Sequence, residues 1–190
     1  MLRALLRISG LIDRLSEFVG GLSVQLVIIT VAVGFYNVLV RYLGSYIGVQ
    51  LSSNLFIELQ WYLYSLVFFL GFAYILKNGI NVRVDFIYAN WSRKRQALVD
   101  FWGHLLLLVP YCVIGIWVTV NPVITSWRQW EQSPDPSGLP RAPLKTMIIV
   151  AFVLLLLQAI SELIKLFAVL RGAEDEVEEL AEHQEALRIE

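Results

Sequence analysis

LSVQLVIITVAVGFYNVLV, residues 22–40, contains no aspartate, glutamate, lysine or arginine. A helix needs about 20 mostly apolar residues to cross the hydrocarbon core of a bilayer. A soluble helix of this length would instead show a polar face where it meets water. Val27–Val33 offers no such face, and neither does Val150–Leu157 further along. The surrounding solvent is therefore lipid.

Three more blocks repeat the pattern. Leu59–Leu76 is uncharged, Phe101–Ser126 carries His104 but no acidic residue, lysine or arginine, and Thr146–Ser161 has none of these five types. The last block reaches spanning length once it is extended past Glu162 and Lys165, where a lysine stem can snorkel to the interface. Composition agrees: 57% of the chain is hydrophobic and 16% charged, against about 45–50% and 25% in soluble domains. The expected fold is an all-α membrane protein with four transmembrane helices, near residues 22–43, 57–76, 98–121 and 145–168, within a membrane domain covering 21–171. The first apolar block begins late and no small-residue cleavage pattern follows it, so no secretory signal is expected.

Charge orients the spans. Arg3, Arg7 and Arg14 precede the first span. Lys77, Arg83, Arg93, Lys94 and Arg95 lie between spans two and three, and Lys165, Arg171 and Arg188 lie at the C-terminal end. On the other side are Arg41, Arg128, Arg141 and Lys145. Eleven against four places both termini in the cytoplasm by the positive-inside rule, in a bacterial inner membrane if the cell has two. Within residues 1–20, Leu2, Leu5, Leu6, Ile12, Leu15 and Phe18 recur at helical spacing. They suit either an amphipathic helix in the cytoplasmic interface or a helical extension packed on the bundle. Residues 172–190 form an acidic tail expected in the cytoplasm. Trp61, Trp91, Trp102, Trp127 and Trp130 fall near span ends, where indole rings favour the headgroup level.

Several chemistries lack their residues. Ionisable side chains at mid-membrane cost roughly 2.5–3.5 kcal/mol on insertion scales and mark transport or catalytic sites; the span centres carry almost none. A haem held between helices needs facing histidines, but only His104 lies in a span, one turn after Asp100, with which an i,i+4 hydrogen bond is expected. The single Cys112 excludes an intramolecular disulfide. No phosphate loop, dinucleotide turn or zinc spacing is present, and Arg93–Arg95 is too small a basic face for nucleic acid. The chain reads as a membrane scaffold that is not an enzyme, with no cofactor of its own.

Polar features survive at the membrane edges. Arg41 ends the first span and Glu58 opens the second, so antiparallel packing brings them together, either as an ion pair or as two separate interface charges. SWRQWEQSPDPSGLPRAPLK, residues 126–145, holds four prolines and a glycine and resists regular helix. Its Trp127, Trp130, Glu131 and Arg141 suit a docking surface on the outer side, or a rigid connector. KNGINVRVDFI, residues 77–87, stops a helix at Asn78-Gly79, with Gly79 suited to the left-handed position after the last turn. It then alternates through Arg83 and Asp85, with Asp85 and Ser92 as helix caps.

Together these features resemble the small membrane subunit, DctQ-like, of tripartite ATP-independent periplasmic (TRAP) transporters. The resemblance covers about residues 20–170. It rests on Arg41-Tyr42, Glu58, Gly71, Asn81-Val82-Arg83-Val84-Asp85 with its basic turn, and Glu131…Ser133-Pro134-Asp135…Gly138-Leu139-Pro140. It implies a large multi-span partner subunit that carries the substrate and Na+ sites, and a periplasmic binding protein that delivers a solute, often an organic acid. This chain would brace the static scaffold. Arg41, Glu58, Arg83 and Asp85 become candidate structural or subunit-interface residues. The alternatives are a membrane anchor of a redox complex and a small dimeric four-span exporter.

Overall fold

A computed structural model describes residues 2–49, 53–80, 88, 90–173 and 177. Helix α1 covers Leu2–Ile47 and α2 covers Asn54–Lys77. The third span is α3 (Arg93–Gly103), a π-helical turn (His104–Leu108) and α4 (Val109–Gln129) in one continuous rod. Helix α5 covers Ala142–Leu170. Among the described residues four helices are thus long and apolar enough to cross a membrane, as the uncharged blocks require.

The expected division at residue 20 does not interrupt the first helix. Residues 2–47 run unbroken for 46 residues, about 69 Å at 1.5 Å per residue. Gly20 and Gly21 carry the helix through because tertiary packing outweighs glycine's weak propensity. Gly20 lies where the Tyr74 ring would leave only 2.3 Å for a Cβ. Of the two sequence readings for residues 2–19, this geometry is the packed extension, and its buried face is mixed, polar and apolar together. Leu6, Ser9, Asp13, Ser16 and Val19 are buried, while Ile8, Leu11, Leu15 and Phe18 point outward.

Helix ends follow backbone chemistry. At Asn78-Gly79 the amide of Ile80 bonds to the Ile75 carbonyl and that of Gly79 to Leu76, with Gly79 at φ +61°, a complete Schellman stop. Gly48 and Gly172 take the same left-handed position after α1 and α5. After α4 the position belongs to Trp130, at φ 45°, with Glu131 N bonded to Ser126 O. Ser92 precedes α3, but its side chain makes no capping bond; its carbonyl accepts from Arg95 and Gln96 instead.

Packing is uneven. Helix α5 is the hub, touching α1, α2 and the third span, while the third span leans chiefly on α5. Ala142, Ala151, Ala159 and Ala168 are fully buried along α5, and their small side chains let neighbouring backbones approach. Gly115 of α4 receives the Phe152 ring. Most large apolar side chains of α1 and α4 face outward, as lipid requires.

Candidate functional site

The residues singled out in the sequence fall into two groups. Arg83 and Asp85 lie outside the described residues. Of the rest, all but Arg41 meet at the end of the bundle where residues 130–141 fold back as a closed loop. Gln132 pairs with Pro140 in an antiparallel bridge, Ser133 N donates to Leu139 O at 3.2 Å, and Gly138 N donates to Asp135 O at 3.1 Å. A Cβ at Gly138 would sit 2.4 Å from that of Ser133, so only glycine closes this turn without displacement.

Glu58 holds the loop down. Its side chain is buried, at 3% residue exposure, and accepts from the Ser133 hydroxyl through Oε1 and from the Leu139 amide through Oε2. Tyr62, one turn later, donates its hydroxyl to the Pro140 carbonyl, and Asn54 reaches Pro136 O at 3.3 Å. Three side chains of α2 therefore satisfy loop groups that prolines leave without a regular ladder.

This overturns the Arg41–Glu58 ion pair. Arg41 is exposed and does not pair with Glu58, whose carboxylate is committed to the loop. The cause is register. Tyr36 stacks edge-on against Phe56 at 5.2 Å, so Arg41 stands more than a turn beyond Glu58 on a helix that continues to Ile47.

The loop's own charges close its other side. Glu131 Oε2 accepts from Ser126 at 2.8 Å and pairs with Lys145. The Lys145 ammonium and the Ser126 hydroxyl hold the Glu131 carboxyl below its ordinary range. Trp127 donates Nε1–H to Thr146 at 2.8 Å and its ring lies 5.5 Å from that of Trp130. Arg141 donates its backbone N–H to Glu131 O at 2.8 Å. Its side chain joins Glu58, Trp61, Tyr62, Leu144 and Lys145 around a cleft of about 140 Å³. Trp127, Trp130, Glu131 and Arg141 are thus one assembly with Glu58.

A second polar assembly was not singled out in the sequence. Between the N-terminal part of α1 and the C-terminal part of α5, Asp13 is 2% exposed and Gln158 is fully buried. Gln158 Nε2 donates to Asp13 Oδ1 at 2.8 Å, and Ser161 donates to the same oxygen at 2.7 Å. Lys165 reaches Asp13 Oδ2 at 3.3 Å and pairs with Glu162. Ser16 donates to Gln158 Oε1 at 2.7 Å, and the Ser9 and Ser161 hydroxyls meet at 2.7 Å. Glu17 pairs with Lys77 at 2.6 Å, tying α2 to the same level. The signal was present as Ser9, Asp13, Ser16 and Ser23 at helical spacing, opposite Gln158, Ser161 and Lys165. Lys165 is a bonded partner here as well as an edge lysine.

His104 forms the expected contact with Asp100 through a different atom. Nδ1–H donates to the Asp100 backbone carbonyl at 2.6 Å, while the Asp100 carboxylate accepts from the Tyr88 hydroxyl at 2.6 Å. The site as a whole positions and clamps helices.

Residues 30–169 match the family model for the DctQ component of tripartite ATP-independent periplasmic transporters. Searches of curated proteins and of solved structures gave no match.

Proposed function

The chain belongs to the DctQ component family of TRAP transporters, and from that premise we propose that it is the scaffold subunit of a sodium-driven importer. Its partners are a large multi-span subunit bearing the substrate and Na+ sites and a periplasmic protein that delivers an organic-acid-type solute. The family match over residues 30–169 carries this reading, since it takes in part of the first span, the other three spans and both polar assemblies' α5 residues. The distribution of charge supports the scaffold role. Bonded carboxylates and cations sit at the two ends of the bundle, where they fix helices against one another. The asymmetry of lysine and arginine supports cytoplasmic termini in the inner membrane. The clamped loop then faces the periplasm, where a binding protein arrives.

Uptake in cells expressing this chain, the large subunit and the binding protein tests the proposal. Uptake is expected to need all three and an inward sodium gradient. Full-rate uptake by the large subunit and binding protein alone would refute it.

A further inference from the structure

The pairing of α1 with α2 fixes the depth of every residue on α1. Glu17 meets Lys77, Gly20 meets Tyr74, Ser23 donates to Val67 O at 2.9 Å, and Gly34 meets Gln60. This antiparallel register sets the centre of α2 opposite residues 26–29 of α1. Helix α2 has 24 residues, about 36 Å, so its centre lies at the bilayer midplane. Gln25 is within one turn of that level.

Gln25 is exposed and its side chain makes no hydrogen bond among the described residues. It points away from the bundle, about half a circumference from the buried face formed by Ser9, Asp13, Ser16 and Ser23. A carboxamide carries two N–H donors and a carbonyl acceptor, and lipid tails satisfy none of them. The same stripe continues at spacings of three and four through Phe18, Gly21, Ile28, Ala32 and Phe35, all exposed. That period suits a second helix packed at a shallow left-handed crossing. Beside Gly21 nothing lies within 4 Å of where a Cβ would be, so a neighbouring backbone has room to approach the amide.

We propose that this Gln25-centred stripe of α1 is the docking face for a helix of the large membrane subunit, and that this helix presents a hydrogen-bonding group at mid-bilayer. The proposal rests on the scaffold-subunit reading above, which supplies a membrane-embedded partner. The unsatisfied amide is what selects protein over lipid at this face.

Single-site variants Gln25→Cys, Ala32→Cys, Leu107→Cys and Trp117→Cys, each carrying a benzophenone maleimide, would be irradiated in the assembled transporter. The buried Cys112 stays in place, with the unsubstituted chain as its control. Adducts with the large subunit are expected from positions 25 and 32 and not from 107 and 117, which sit on the outer face of the third span. Gln25→Leu is expected to lower the affinity for the large subunit by about tenfold, while the isolated chain keeps its helix content and melting temperature. Adducts only from 107 and 117, or an adduct of two copies of this chain at 25, would overturn the proposal. An unsubstituted chain that never co-purifies with the large subunit would instead overturn the scaffold reading itself.

Discussion

Glu58 shows how one carboxylate can order a proline-rich loop. Deleting it leaves the Ser133 hydroxyl and the Leu139 amide without their acceptor, a loss of about 1.5–3 kcal/mol for bonds to a charged group. Glu58→Ala is expected to lower the stability of the detergent-solubilised chain by that amount and to expose residues 132–140 to protease. An unchanged melting curve would contradict this. Trp130 offers a cleaner comparison, because it holds a left-handed backbone without being glycine. Trp130→Ala and Trp130→Gly both remove the ring and differ chiefly in how well they tolerate φ 45°. The glycine variant should be the more stable by about 1 kcal/mol in paired thermal melts. Glu131 adds a pH dependence. Its carboxyl is depressed below the ordinary 4.5 in the folded chain. Its contribution is therefore complete above that value and is lost as pH falls through the depressed one. Acid melts should show this loss below about pH 4.5, and Glu131→Gln should flatten it.

The polar seam between α1 and α5 works at the scale of whole helices. Asp13 gathers donors from Gln158, Ser161 and Lys165. Asp13→Ala leaves a buried amide, a hydroxyl and an ammonium without it, a loss on the order of 3–5 kcal/mol. The expected result is a large fall in melting temperature together with faster amide exchange in residues 2–16. Exchange confined to α2 would refute the assignment. The seam also shows where pattern reading fails. Helical spacing of Leu2, Leu5, Leu6, Ile12, Leu15 and Phe18 is plain, but spacing alone does not say which of them turn inward. In water the apolar face is buried; near lipid, packing can bury Ser9, Asp13 and Ser16 beside Leu6 and leave Leu15 and Phe18 outside.

At the scale of the whole molecule, the four spans and the glycine stop at Gly79 were legible because they depend on local composition and backbone sterics. The partner of Glu58 was not. Arg41 is the nearest cation by span order, whereas Ser133 and Leu139 lie some 75 residues or more away in sequence and are brought in only by packing α5 against α2. The joint between spans two and three has its own test. In the assembled transporter, Arg83→Ala or Asp85→Ala is expected to reduce uptake more than alanine at Arg93, Lys94 or Arg95. Equal tolerance at all five positions would reduce the segment to a topology signal.

The π-helical turn at His104–Leu108 bears on how the third span responds to a change in chain length. Val109 N–H reaches back five residues to His104 O, so this turn holds one residue more than an α-helix needs. Removing one leucine from Leu105–Leu107 would close the turn to ordinary spacing and leave α3 and α4 each intact. The basic end at Arg93–Arg95 would then keep nearly its present azimuth relative to the Gly115 seat, whereas the same deletion within α3 or α4 would swing it by about 100° around the rod. The wide turn is thus the place in the third span where the chain can lose a residue without turning one half against the other.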